Sequence, residues 1–256
     1  MDVQIFVNQV KNTSEKLINT IPFIVHNKLW EGFFRHKIVF ILIIIAAIVV
    51  PISCYNFIND AISSVEKIGT SQQLLSTNTI QNLDFSKLYH GANQYLLMLL
   101  IHILNIYFSN KTIERLSGVT IDLSIKEMIH SYFRNLKVLI RTWFTELVIG
   151  IGISIVVGIF GPSWLKDVLK FAIGCYFLGY IFIDNYNGTF AVPIKESFQI
   201  IKNHAGAAFA LGLVAKILLL LPVIGILLTS FICGVAATWY MHTSADRHEG
   251  SLAFAE

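Results

Sequence analysis

Lys216 opens the most apolar stretch of the chain, "KILLLLPVIGILL", residues 216 to 228. A lysine at the centre of a bilayer costs about 2.5 to 3.5 kcal/mol on insertion scales, so something must offset it. An anion contact inside a helical bundle would do so; snorkelling to the interface, or pairing with Glu146 or Asp184, would serve equally. His102 and Asn105 sit three residues apart in another apolar segment and share a helical face. There they either line a polar path or hold neighbouring helices together through hydrogen bonds. Glu146, near the start of a third apolar segment, admits the same two roles. Covalent chemistry has no candidate: the chain contains no H-E-x-x-H, no G-x-S-x-G and no Walker loop. The expectation is therefore a protein that is not an enzyme. Gly150, Gly152 and Gly158 of "GIGISIVVG" fall inside an apolar helix, where close helix contacts are their natural use. Cys54, Cys175 and Cys233 are far apart, with no C-x-x-C pair and no histidine at ligand spacing, and read as small buried hydrophobes. Neither a metal nor a cofactor is expected.

The elements that must carry these residues follow from composition and periodicity. Charged residues make up 14% of the 256 and hydrophobic ones 55%, with a mean hydropathy of +0.65. A soluble domain would carry about a quarter charged residues, so the chain belongs to the membrane class. Its net charge of +3 is too small to argue for nucleic acid.

Residues 1 to 35 set Leu17, Ile18, Ile21, Ile24 and Val25 at helical spacing against Lys11, Lys16, Asn19 and Lys28, an amphipathic pattern suited to the interface. Residues 37 to 58 are long enough for a first span, kinked at Pro51, and 93 to 108 for a second. Between them, 59 to 92 is a polar connection, and 109 to 141 is a basic, amphipathic linker. The stretch 143 to 183 is interrupted at Gly161-Pro162, and 206 to 240 at Pro222 and Gly225. As one helix the latter would be about 52 Å long against about 30 Å of hydrocarbon, so it must fold back. The proline lacks a donor and the glycine tolerates a tight turn. The fold class predicted is all-α: a polytopic membrane protein with two long spans and two hairpins of shorter helices, which either cross or only partly penetrate.

Charge placement sets orientation. Lys11, Lys16, Lys28, Arg35 and Lys37 precede the first span, the connection after it holds only Lys67 and Lys87, and the next linker is basic again. Both termini are thus expected on the cytoplasmic side.

The last third, "YIFIDNYNGTFAVPIKESFQIIKNHAGAAFALGLVAKILLLLPVIGILLTSFICGVAATWYMH", carries a specific pattern. An aromatic-rich helix ends in Asp184, "VPIKESF" opens an amphipathic helix, a Leu-rich leg breaks at Pro222 before Gly225, and "GVAAT" leads to Trp239. The chain here resembles the CysZ sulfate-permease family, which shares a domain with the etoposide-induced membrane proteins, and "FSNKTIERLSG" at 108 to 118 resembles the segment after that family's second span. The resemblance implies a bacterial inner-membrane protein that assembles as a homo-oligomer and admits sulfate or a similar small oxyanion without an ATPase. It also implies anion contacts around a Gly-x-Arg-Arg stretch before the first long helix. Here that place reads "HNKLWEGFFRHK", so Lys28, Arg35 and Lys37, with Lys216, are the candidate anion contacts. The helix starting at "VPIKESF" and one expected to open near Asn27-Lys28 would offer their N-termini to an anion. The alternative is a non-transporting membrane scaffold or membrane-organisation protein of the same domain family.

Overall fold

A computed structural model describes residues 2–31, 92–118, 125–221 and 224–253. Among these residues the protein is all helix, in seven elements: α1 Val3–Asn27, α2 Ala92–Ser117, α3 Ile125–Phe160, α4 Ser163–Thr189, α5 Ile194–Asn203, α6 Ala205–Leu218 and α7 Ile224–Ala253. The expected first span, 37 to 58, the connection expected over 59 to 92 except for its last residue, and Arg35, Lys37 and Pro222 lie outside the described residues.

Helix α1 starts where the Asp2 carboxylate accepts the Gln4 N–H at 3.0 Å. It stops at Lys28, whose φ of 48° is left-handed, while the Leu29 N–H returns to the Ile24 carbonyl at 3.2 Å. This closure satisfies carbonyls that the last turn would leave open, and Leu29 is buried beneath it. The face turned inward holds Gln9, Thr13, Leu17, Thr20 and Ile24, whereas Val3, Val7, Ile18, Ile21 and Val25 point outward. The outward side also exposes Gln4, Asn8, Lys11, Glu15 and Asn19, so it is mixed in polarity.

Helices α3 and α4 form the first hairpin, broken at Gly161 and Pro162, and Pro162 serves as the N-cap of α4. Over 109 to 141, expected as a basic, amphipathic linker, α2 runs on to Ser117 and α3 begins at Ile125. Among the described residues α3 is the one helix long and apolar enough to cross a membrane, over Phe133–Ile159. Leu147, Val148, Ile151, Ile155, Val156 and Ile159 of that stretch are exposed.

Helices α6 and α7 form the second hairpin, antiparallel, with the Cys233 thiol facing the Leu211 carbonyl. Gly225 closes it: a Cβ there would overlap the Leu218 carbonyl. The legs are unequal, against the expectation of two abbreviated ones. Helix α6 has 14 residues, about 21 Å, and α7 has 30, about 45 Å.

The hairpins meet where α4 crosses α6. A Cβ on Gly179 would overlap the Ala208 carbonyl, and one on Gly212 would overlap the Cys175 carbonyl. Cys175-x3-Gly179 therefore packs against Ala208-x3-Gly212, backbone on backbone, as small residues four apart allow. Close contact was expected of Gly150, Gly152 and Gly158, and the structure corrects this, since nothing lies within 4 Å of a Cβ at any of the three. They lie along α3 among exposed side chains such as Ile151, Ile155 and Val156.

Helix α5 meets α6 at a bend of 91° centred on His204. Such a break strands backbone groups, and Gln9 of α1 takes up two of them: its Nε2 donates to the Asn203 carbonyl at 2.5 Å, and its Oε1 accepts the Gly206 N–H at 2.9 Å. Gln9→Ala leaves the buried Gly206 N–H unmet and removes the donor of the Asn203 carbonyl, which lies at an exposed residue, so the folded state should lose about 1 to 3 kcal/mol in thermal unfolding in detergent micelles. An unchanged melting temperature would remove Gln9 from this role.

Candidate functional site

Among the described residues, two buried polar clusters stand out in the interior. The first joins α3, α4, α5 and α2 at the end of the bundle away from the hairpin tips. The Asp184 carboxylate, 1% exposed, accepts both arms of Arg134: Nη1 at 2.8 Å to Oδ2 and Nη2 at 3.2 Å to Oδ1. The Ser197 hydroxyl donates to Asp184 Oδ1 at 2.5 Å, and Asn187 Nδ2 donates to Ser197 Oγ at 2.9 Å. Arg134 Nη2 also reaches the Val192 carbonyl at 3.1 Å, in the α4–α5 turn, where Ala191 holds a φ of 54°. Alongside, Asn135 donates to Asn185 at 2.5 Å, and Thr189 donates to Asn110 of α2 at 3.0 Å. A bidentate, hydrogen-bonded pair of this kind fixes geometry, and both charges are consumed within it. It clamps the turn that aims α5 and α6. From the sequence Asp184 is the end of an aromatic-rich helix and a possible partner of Lys216; its set with Arg134, Asn135, Asn187 and Ser197 is not apparent there, nor is the role of Gln9. The available signal was "DNYN", 184 to 187, polar residues closing an otherwise apolar helix.

The second cluster lies between α2 and α7, which run parallel. Ser109 and Thr238 hydrogen-bond through their hydroxyls, and Phe108 packs edge-on to Phe231 with centroids 4.2 Å apart. One turn up, Asn105 is wholly buried against Gly234, and a Cβ on that glycine would overlap the Asn105 Oδ1. Neither side-chain atom of Asn105 has a hydrogen-bond partner among the described residues, and the buried Thr229 and Thr13 hydroxyls are also unmet. A buried amide left unpaired costs about 1 to 3 kcal/mol, so this is the least economical spot in the described interior.

The sequence-derived candidates do not converge on one site. Lys28 is exposed, pairs with Glu31 at 3.3 Å, and caps the C-terminus of α1. The helix end near Asn27-Lys28 therefore presents carbonyls rather than N–H groups, the wrong polarity for an anion, and the expected N-terminus there is corrected. The "VPIKESF" helix does begin at Ile194, but Glu196 lies in its first turn. Lys216 lies near the end of α6 and converges with Glu146 on Gly174: a Cβ on that glycine would overlap Lys216 Nζ and lie 3.1 Å from Glu146 Oε1. Its ammonium also sits 4.7 Å from the centroid of the Phe171 ring and 3.4 Å from the Phe171 carbonyl. Of the partners considered for Lys216, Glu146 is the one that faces it, while Asp184 is held by Arg134. Pro162 and Gly225 lie at the two hairpin breaks. His102 is in α2 one turn before Asn105.

No protein-family model, curated protein or solved structure matches the chain.

Proposed function

We propose that the chain is an integral membrane protein that passes a small oxyanion of the sulfate type, with Asn105 on the path. The supporting observation is the unpartnered, fully buried Asn105 amide opposite the bare backbone of Gly234. An oxyanion in a low-dielectric interior needs uncharged donors more than fixed cations, and the unpartnered Asn105 amide offers one. The outward-facing apolar side chains of α1 and α3 favour insertion in a bilayer. The oxyanion itself rests on the resemblance to the CysZ family. In this reading the protein is polytopic in a bacterial inner membrane, with cytoplasmic termini, and works as a homo-oligomer.

Uptake of labelled sulfate into proteoliposomes tests it. Asn105→Leu, close to isosteric, should lower flux at least about tenfold while leaving the fold as stable or about 1 kcal/mol more so, because it removes an unmet polar group. Flux equal to that of protein-free vesicles for the unmodified chain would end the reading.

A second reading, a non-transporting membrane scaffold, is favoured by charge pairing: Arg134 with Asp184, Lys28 with Glu31 and Lys111 with Glu114. Background flux with an intact, detergent-stable fold would select it.

A further inference from the structure

We propose that the seam between α3 and α5 is a docking site for the headgroup of an anionic phospholipid. This rests on the membrane insertion argued above but not on transport.

The two helices are bridged by long side chains rather than by close backbone contact. Arg134 reaches the Val192 carbonyl just before α5, and one heptad further Arg141 lies over the Phe198 ring of α5, 5.8 Å from its centroid. Lys137 falls between these arginines on α3, on the flank that Arg141 shares. On α5, Lys195 and Lys202 stand three before and four after Phe198, on the same side of the helix as that ring. Glu196 projects from the opposite side, and Asp184 is already spent on Arg134. Lys137, Arg141, Lys195 and Lys202 are all exposed, and none has a carboxylate partner among the described residues. With Glu196 on the far side of α5, these four exposed cations on adjoining helix flanks make the local potential positive and favour an anion.

The surroundings say which anion. Trp143 and Phe144 follow Arg141 directly and are 54% and 61% exposed, and beyond them Leu147, Val148, Ile151 and Ile155 form a bare apolar face along α3. The cations thus lie at the border between a polar end and an apolar belt, the depth at which aromatic side chains and lipid phosphates meet. A phosphate held at the seam places its acyl chains along that uncovered face of α3. A free oxyanion would use the cations and leave the face bare.

The full chain in neutral detergent, titrated with short-chain phosphatidylglycerol, short-chain phosphatidylcholine or sodium sulfate, separates these cases by its melting temperature. Phosphatidylglycerol should raise it, and the other two should not. Lys137→Gln, Lys195→Gln and Lys202→Gln should each weaken the phosphatidylglycerol response about fivefold, whereas Lys166→Gln with Lys170→Gln, near the hairpin tip, should leave it unchanged. Arg141 is kept because it packs on Phe198. An equal response to phosphatidylcholine or to sulfate, or an equal shift from the tip variants, overturns the proposal. Flotation with pure phosphatidylcholine vesicles is read in parallel: failure to float removes the membrane reading, while flotation without a phosphatidylglycerol response removes only the headgroup site.

Discussion

Gly179→Leu should yield no assembled protein: fluorescence-detected gel filtration in mild detergent is expected to give aggregate in place of a sharp peak. The Cβ alone would overlap the Ala208 carbonyl, which belongs to the backbone of α6 and cannot rotate aside. Leucine adds three more carbons to the same place. Overpacking in an ordinary core costs about 1 to 3 kcal/mol because side chains shift to absorb it. Here the only relief is to separate two helices along Cys175-x3-Gly179 and Ala208-x3-Gly212, which gives up the most extensive contact among the described helices and tears one hairpin from the other. Gly212→Leu should fail in the same way against the Cys175 carbonyl. Gly152→Leu is the control, since open space surrounds that position, and should elute like the unmodified chain. A sharp peak for Gly179→Leu would mean that the α4–α6 crossing is looser than described.

Arg134→Ala should cost about 3 to 5 kcal/mol, the penalty of leaving a buried carboxylate without its cation. Asp184 would keep only the Ser197 hydroxyl, and the Val192 carbonyl would lose its donor in a turn already held at a left-handed Ala191. Arg134→Lys restores the charge but not the two-armed fork, so it should recover only part of the loss. The double change Arg134→Met with Asp184→Leu removes both charges and should be far milder than Arg134→Ala alone. Thermal unfolding in micelles orders the three. If the double variant proves as damaging as the single, the cluster acts through something other than charge compensation.

These two contacts bear on how much could be read from the chain unaided. The apolar runs and their interruptions were legible: Gly161-Pro162 and the stretch up to Gly225 do mark the turns of the two hairpins. A proline cannot continue a helix, and a 35-residue apolar run exceeds the bilayer it would span. The start of α5 after Pro193 was legible for the same local reason. The limits of α3 were not, because its basic, amphipathic first third looks like a linker and becomes part of a 36-residue helix only when Arg134 and Asn135 find partners on α4.

The candidate site was less legible. Asn105 was flagged for its polarity in an apolar segment, but that its amide is unmet depends on Gly234 standing opposite, 129 residues away. Lys28 looked like an anion contact by position, until the left-handed turn there placed it at the carbonyl end of α1.

Composition and periodicity by themselves determined that the described residues are helical and where the two hairpins break, because these depend on backbone chemistry a few residues long. Only the tertiary structure decided which small residues touch and which charge faces which. The glycines of α3 and α4 look alike along the chain. Those of α3 at 150, 152 and 158 meet open space, whereas Gly179 of α4 meets the backbone of Ala208, and that difference arises from helices brought together across about thirty residues, beyond the reach of any local pattern.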